Sequence, residues 1–168
     1  MASTLERFAS QCREILLKDS GPKGREQVKD LLRQYLRDGD LAREELGPDN
    51  HEARKILYED PDLGFCILAH VYEGAKDSDP HDHGPSWAIY GQAEGVTEMR
   101  EWRKLAPPSG DQPGKVEEVR RYTLQPGDAG VYNEGDLHSP HRTGMTKLIR
   151  IEGMNMANVK RDKYVVAA

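Results

Sequence analysis

The hydrophobic positions change their period once along the chain, near residue 55. Before that point they recur every three or four residues. Leu5, Phe8, Cys12, Ile15 and Leu16 fall on one face of a helix, with Ser3 or Thr4 as its N-cap. Ser20-Gly21-Pro22 interrupts the pattern. Val28, Leu31, Leu32 and Tyr35 form a second stripe that ends near Gly39, and a third short helix is expected over 41–46, closed by Gly47-Pro48.

Beyond residue 55 the pattern becomes strand-like. Residues 64–72 (GFCILAHVY) read as a strand buried on both faces, and 86–92 (SWAIYGQ) as another. Residues 96–105 and 116–124 alternate apolar and polar, with a Pro- and Gly-rich loop, APPSGDQPG, between them. The turn Gln125-Pro126-Gly127-Asp128 leads to a short strand through Val131 and Tyr132. Residues 147–152 (KLIRIE) form a late strand, and Tyr164-Val165-Val166 either adds an edge strand or packs on the helices. Short strands joined by turns, with no helices between them, indicate an antiparallel sandwich or barrel. The expected organisation is a helical segment over 1–50 packed on a mainly β barrel over 51–168, as one structural domain.

Charge and composition narrow the function. A formal net charge of -5 and the lack of a basic patch argue against a nucleic-acid partner. Arg120-Arg121 alternates with Val119 and Tyr122 and reads as a solvated strand face. The N-terminal residues lack the apolar core of a signal peptide, and no apolar run reaches the roughly 20 residues of a membrane span. Cys12 and Cys66 are too scattered for a disulfide framework. The expectation is a soluble, cytoplasmic protein with a small-molecule partner, acting on neither nucleic acid nor membrane.

The most informative residues are the histidines, at positions 51, 70, 81, 83, 138 and 141. In an extended segment residues i and i+2 share a face, so His81 and His83 converge while Asp82 points away. His138 follows a glycine-bearing turn, Asn133-Glu134-Gly135-Asp136, and supplies a third ligand from across the barrel. Three imidazoles leave coordination positions free, as a catalytic metal site requires. His141 is the alternative to His138, or its support. His70, on a buried strand, reads as a hydrogen-bonded core residue, and His51 as a solvated one.

Residues 74–95 (GAKDSDPHDHGPSWAIYGQAEG) resemble the first cupin motif, with its HxH, and 127–142 (GDAGVYNEGDLHSPHR) resemble the second, with its Gly-x-x-His. Trp87 and Ala88 stand where the first motif usually carries a glutamate. A three-histidine cupin of this kind resembles the cysteine dioxygenase family of thiol dioxygenases. The helices before the barrel and the segment LYEDPDLGFCILAHVYEG agree with it, so the resemblance spans roughly residues 25–155.

The resemblance implies a cupin double-stranded β-helix (jelly-roll) barrel with N-terminal α-helices, as a monomer or homodimer. It implies iron(II) held by His81, His83 and His138, although zinc, nickel, manganese or copper suits the same ligands. The implied reaction is oxidation of a small thiol acid, of the cysteine or 3-mercaptopropionate type, to its sulfinate with O₂. The family's carboxylate-binding arginine falls at or beside Lys55, with Arg54 adjacent, where lysine supplies charge without the bidentate fork. Its Ser-His-Tyr relay falls on Leu148, Arg150 and Glu152, and its crosslinking cysteine has no counterpart in GPSWAIYG. Arg150 and Tyr90 are therefore the candidate catalytic residues, and Lys55, Arg54 and Trp87 the candidate substrate-binding ones. Arg150 reads equally as a surface residue beside Glu152, and Tyr90 and Trp87 as core aromatics. Another metal-dependent cupin oxygenase or lyase, or a non-enzymatic small-molecule-binding cupin, fits the same pattern.

Overall fold

The change of period near residue 55 is a change of layer. In a computed structural model, residues 1–167 are described, so the final residue of the segment expected to end at 168 lies outside the described residues. Helices α1 (Thr4–Lys18), α2 (Pro22–Asp38) and α3 (Asp40–Glu45) come first. Ser3 caps α1 through a capping box: its hydroxyl accepts from the Glu6 amide at 3.1 Å while the Glu6 carboxylate accepts from the Ser3 amide at 2.9 Å. Pro22 occupies the first turn of α2, where its missing N–H costs nothing.

The described strands are β1 (Lys55–Glu59), β2 (Cys66–Tyr72), β3 (Lys76–Asp77), β4 (Ala88–Glu94), β5 (Thr97–Ala106), β6 (Gly114–Leu124), β7 (Ala129–Tyr132), β8 (Leu137–Arg142), β9 (Thr146–Glu152) and β10 (Tyr164–Val166). They form two five-stranded sheets, ordered β1-β2-β9-β4-β7 and β10-β6-β5-β8-β3. The result is a mainly β, curled half-barrel with N-terminal helices. Every pairing is antiparallel except β10, which runs parallel to β6 as an edge strand.

Two apolar layers hold it together. Phe8, Cys12, Val28 and Leu32 of the helices pack on Ile67, Ala69, Ile89, Ile149 and Ile151 of the first sheet. The opposite face of that sheet turns Ala88 and Tyr90 toward Met99 and Leu124 of the second. The first sheet is therefore covered on both sides, which explains the nearly continuous apolar run in β2. Strand register then sets what faces the interior. Leu68, Arg150 and Tyr90 form one row across β2, β9 and β4, and Cys66, Glu152 and Ala88 form the row beside it.

Three strands were not anticipated by the sequence pattern. β1 is a short edge strand with a bulge between Ile56 and Tyr58, which breaks its alternation. β3 has two residues. β8 contains Pro140, a residue that argues against a strand within a sheet, yet it pairs with both β5 and β3.

Helix α2 sits very close to the sheet at Gly91. A Cβ there would lie 2.6 Å from Leu32 Cδ2 and 2.9 Å from Leu36 Cδ1. Gly91→Val is expected to cost about 1–3 kcal/mol by forcing the helix off the sheet. Urea unfolding checks this as a lowered midpoint. An unchanged midpoint would mean that the α2 contact contributes little.

Candidate metal centre

The site begins with a pair of backbone bonds. The His81 amide donates to the His138 carbonyl at 3.0 Å, and the His138 amide donates back to His81 at 2.9 Å. This hydrogen-bonded antiparallel bridge places the two imidazoles side by side, their ring centroids 4.7 Å apart. His83, two residues further on, stacks on His138 at 5.0 Å. Asp82 points away, as alternation requires, and its side chain accepts from the Gly84 amide at 2.9 Å. The turn before β8 needs Gly135, whose φ of 81° is in the left-handed region. There the Asp136 amide donates to the Asn133 carbonyl at 3.0 Å, which delivers His138 to the interior in a fixed position.

Second contacts orient the rings. His81 Nδ1 lies 2.7 Å from the Asp79 carbonyl, and His138 Nδ1 lies 2.9 Å from the Asp136 carbonyl. Each Nδ1 is therefore the donor, which leaves the Nε2 lone pairs facing the centre. The ligand atoms of His81, His83 and His138 all lie within 4.8 Å of one another. His83 Nε2 and His138 Nε2 are only 3.1 Å apart, and the Tyr90 hydroxyl lies 2.8 Å from the first and 3.1 Å from the second. One phenolic proton can be donated to only one of these two nitrogens. A metal ion bound by imidazoles at about 2.0–2.1 Å uses both lone pairs, so the residues present fit a metal.

Protonation agrees with this. Burial, opposed by the Asp79 carbonyl, lowers the His81 pKa to about 4. Burial and then the neighbouring histidines hold His83 and His138 well below the usual imidazole range. All three are neutral at pH 7, the state that ligates.

A cavity of about 930 Å³ opens beside the centre. Its inner wall includes His81, Tyr72, Tyr90, Arg142 and Arg150, and its outer wall comprises the 108–113 loop and residues 160–165. Arg150 stacks on Tyr90 with its guanidinium carbon 4.4 Å from the ring centroid, and its Nη1 donates to Glu152 at 3.3 Å. Burial opposes the charge on Arg150, but Tyr90, Tyr72 and Glu152 outweigh it and raise its pKa. Burial raises the Tyr90 pKa in turn, so its phenol stays protonated at neutral pH.

The structure brings His81, His83, His138, Tyr90 and Arg150 to one place and leaves the other candidates elsewhere. His141 has the opposite strand parity to His138, is 37% exposed and pairs with Asp77. His70 is buried on β2, with Nδ1 2.7 Å from the Ala53 carbonyl, and lies outside the three-histidine group. His51 is exposed beside Glu73. Lys55 is exposed on the edge strand β1 and does not line the cavity. Arg54 does not line it either; its Nη2 donates to Asn155 at 3.1 Å and lies 3.7 Å from Glu152. Trp87 also falls outside the cavity, because it precedes Ala88 on β4 and faces the helices, with Arg25 over its ring.

Arg142, Tyr72 and Arg161 were missed by the sequence reading, though all three line the cavity. The signal for Arg142 was present: it shares strand parity with His138, but Pro140 between them hides the strand.

No protein-family model and no curated protein matches the sequence. Among solved structures, KdgF from Halomonas sp. is similar over 59% of this chain and 74% of its own, at 19% identity and a TM-score of 0.45. A cupin-2 domain containing protein from Shewanella frigidimarina is similar over 61% and 81%, at 18% identity and a TM-score of 0.43. A cupin superfamily protein from Desulfitobacterium hafniense is similar over 64% and 84%, at 13% identity and a TM-score of 0.42. Among the described residues no helix is long and apolar enough to cross a membrane.

Proposed function

We propose that the protein is a cupin-type, mononuclear metal-dependent dioxygenase that oxidises a small thiol acid to its sulfinate, with iron(II) as its native ion. The observation that carries this reading is the juxtaposition of three neutral imidazoles with a largely buried guanidinium, Arg150, across the Tyr90 ring. His81, His83 and His138 would hold the ion. Iron(II), when bound, would supply the redox chemistry that activates O₂. Neutral ligands leave the ion its full charge, which favours an anionic thiolate.

The chain's own residues bind and orient. Arg150 offers a carboxylate a charge-assisted contact, and its stacking on Tyr90 holds the guanidinium plane in place. The Tyr90 hydroxyl, 2.8 and 3.1 Å from two of the ligand nitrogens, would hold a proton at the edge of the metal position. The reaction balances without another reductant: both oxygen atoms join the sulfur, which loses the four electrons that O₂ gains.

Oxygen uptake by iron-loaded protein with cysteine and 3-mercaptopropionate tests this. One O₂ per sulfinate is expected with at least one of them. Tyr90→Phe is expected to lower kcat by about 10²-fold, the lower end of a lost proton contact. Arg150→Met is expected to act chiefly on KM. If no small thiol acid drives oxygen uptake, the dioxygenase reading fails.

A further inference from the structure

Arg142 is a buried cation without a counter-charge. The residue is 2% exposed, and among the described residues it makes no ion pair with any carboxylate. Its Nε donates to Thr97 Oγ1 at 3.2 Å, its guanidinium carbon stands 4.8 Å over the Tyr72 ring, and its Nη2 is buried with no partner. A buried charge left this way is costly unless an anion completes it. Arg150 lines the same cavity, and its Nε is likewise buried without a partner. The two guanidiniums come from different sheets, on β8 and β9, and both face the space beside the histidines. Among the described residues only Glu152 is set against Arg150, and Arg54 shares it.

We infer that Arg142 and Arg150 together form a dianion subsite, so that the substrate carries two negative charges in addition to the group that meets the metal. This rests on the proposed function for the identity of that third group, but the subsite itself stands on the two arginines. A single carboxylate balances only one of the two charges. A second acid group, or a phosphate in place of both, satisfies the pair through its fork geometry. The outer wall points the same way. Lys160, Arg161 and Lys163 add three cations at the cavity's edge, in a chain whose net charge is -5. An excess of cations over the three carboxylates that also line the cavity concentrates anions there.

The test is calorimetric binding of propionate, succinate and inorganic phosphate at pH 8 to the protein as isolated and again after chelator treatment. The chelated arm removes direct ligation of an ion as the source of binding. Succinate or phosphate is expected to bind at least about tenfold more tightly than propionate, a difference of roughly 1.4 kcal/mol. Which of the two does so identifies the dianion as a dicarboxylate or a phosphate group. Arg142→Met is expected to lose that preference while its Tm stays level or rises by up to roughly 4 °C, because an unpaired buried charge has been removed. A purely structural arginine would lower Tm instead.

Equal affinity of the wild-type protein for propionate, succinate and phosphate overturns the inference, whatever the variant does. So does a preference that survives in Arg142→Met, or in Arg142→Gln should the first variant not fold. A dianion preference that depends on Arg142, found without thiol-driven oxygen uptake, supports the subsite and removes the dioxygenase reading. Thiol-driven uptake with no dianion preference does the reverse.

Discussion

Replacing His138 by alanine is expected to empty the metal centre. His138 lies 3.1 Å from His83 across the site and is bridged to His81 through its backbone, so two imidazoles without it cannot close a facial set. Loss of an outer partner of a ligand typically weakens a metal 10–100-fold, and loss of the ligand itself is expected to weaken it by at least about 100-fold. The same substitution removes a fully buried ring and its Nδ1 bond to the Asp136 carbonyl, so it is expected to cost the metal-free fold about 2–4 kcal/mol as well. Elemental analysis of purified protein and calorimetric metal titration measure the loss, with thermal melting as the control. His70→Ala, buried on the other sheet and outside the group, is expected to leave metal content unchanged. Equal metal content in His138→Ala and the parent protein would place the ion elsewhere.

Asp60→Ala is expected to destabilise the docking of the helices strongly. Asp60 is 2% exposed and gathers four groups. Arg13 of α1 donates to it at 2.8 and 2.7 Å, the Tyr58 hydroxyl at 2.7 Å, and the Leu63 and Asp62 amides at 2.7 and 3.1 Å. The node ties α1 to the free edge of the first sheet. Its removal leaves donors unpaired and is expected to cost roughly 2–4 kcal/mol, less than a fully buried pair because Arg13 is partly exposed.

The pH dependence of Asp60 has a definite sign. Burial alone would push its carboxyl up, but the hydrogen bonds from Leu63, Tyr58, Arg13 and Asp62 outweigh it and bring the pKa down to about 2. A carboxyl lowered on folding contributes stability that is complete above its unfolded value and lost as pH falls through the folded one. The stability gap between the parent protein and Asp60→Ala is therefore expected to be constant above about pH 5 and to shrink from about pH 4 to pH 2. Paired urea titrations at several pH values measure it. A gap that widened on acidification would contradict the assignment.

The legible and illegible parts of the sequence divide along physical lines. The HxH was legible because strand alternation alone brings His81 and His83 to one face. Arg150 was only half legible: alternation in KLIRIE puts Leu148, Arg150 and Glu152 on one face and Ile149 and Ile151 on the other, but only the packing of the helices on Ile149 and Ile151 shows which face is inward. Trp87 is a candidate only as a pocket-lining aromatic, and its parity, opposite to that of Tyr90, sends it to the helix side as a core aromatic. Lys55 and Arg54 were placed by correspondence, and the edge strand β1 keeps them outside the cavity. β8 was hidden by Pro140, and with it Arg142, the residue that shapes the inferred anion subsite. The tail was ambiguous because three residues carry no period; only the partner β6 shows that Tyr164 closes an edge.

Locally strong patterns thus gave the helices and the alternating rows. What they left out are features set by pairing across distance: an edge strand, a proline-bearing strand, and a cavity wall contributed by residues 160–165. These depend on which segments meet, and no local periodicity encodes that.

His81, His83 and His138 are together expected to hold one metal ion. X-ray absorption on the metal-loaded protein tests it most directly, because it counts the ligands by type. The expected spectrum shows three imidazole nitrogens at about 2.0–2.2 Å, completed by light-atom scatterers, with one imidazole lost in His81→Ala. A sulfur scatterer from Cys12 or Cys66, or a first shell with fewer than three imidazoles, would contradict it.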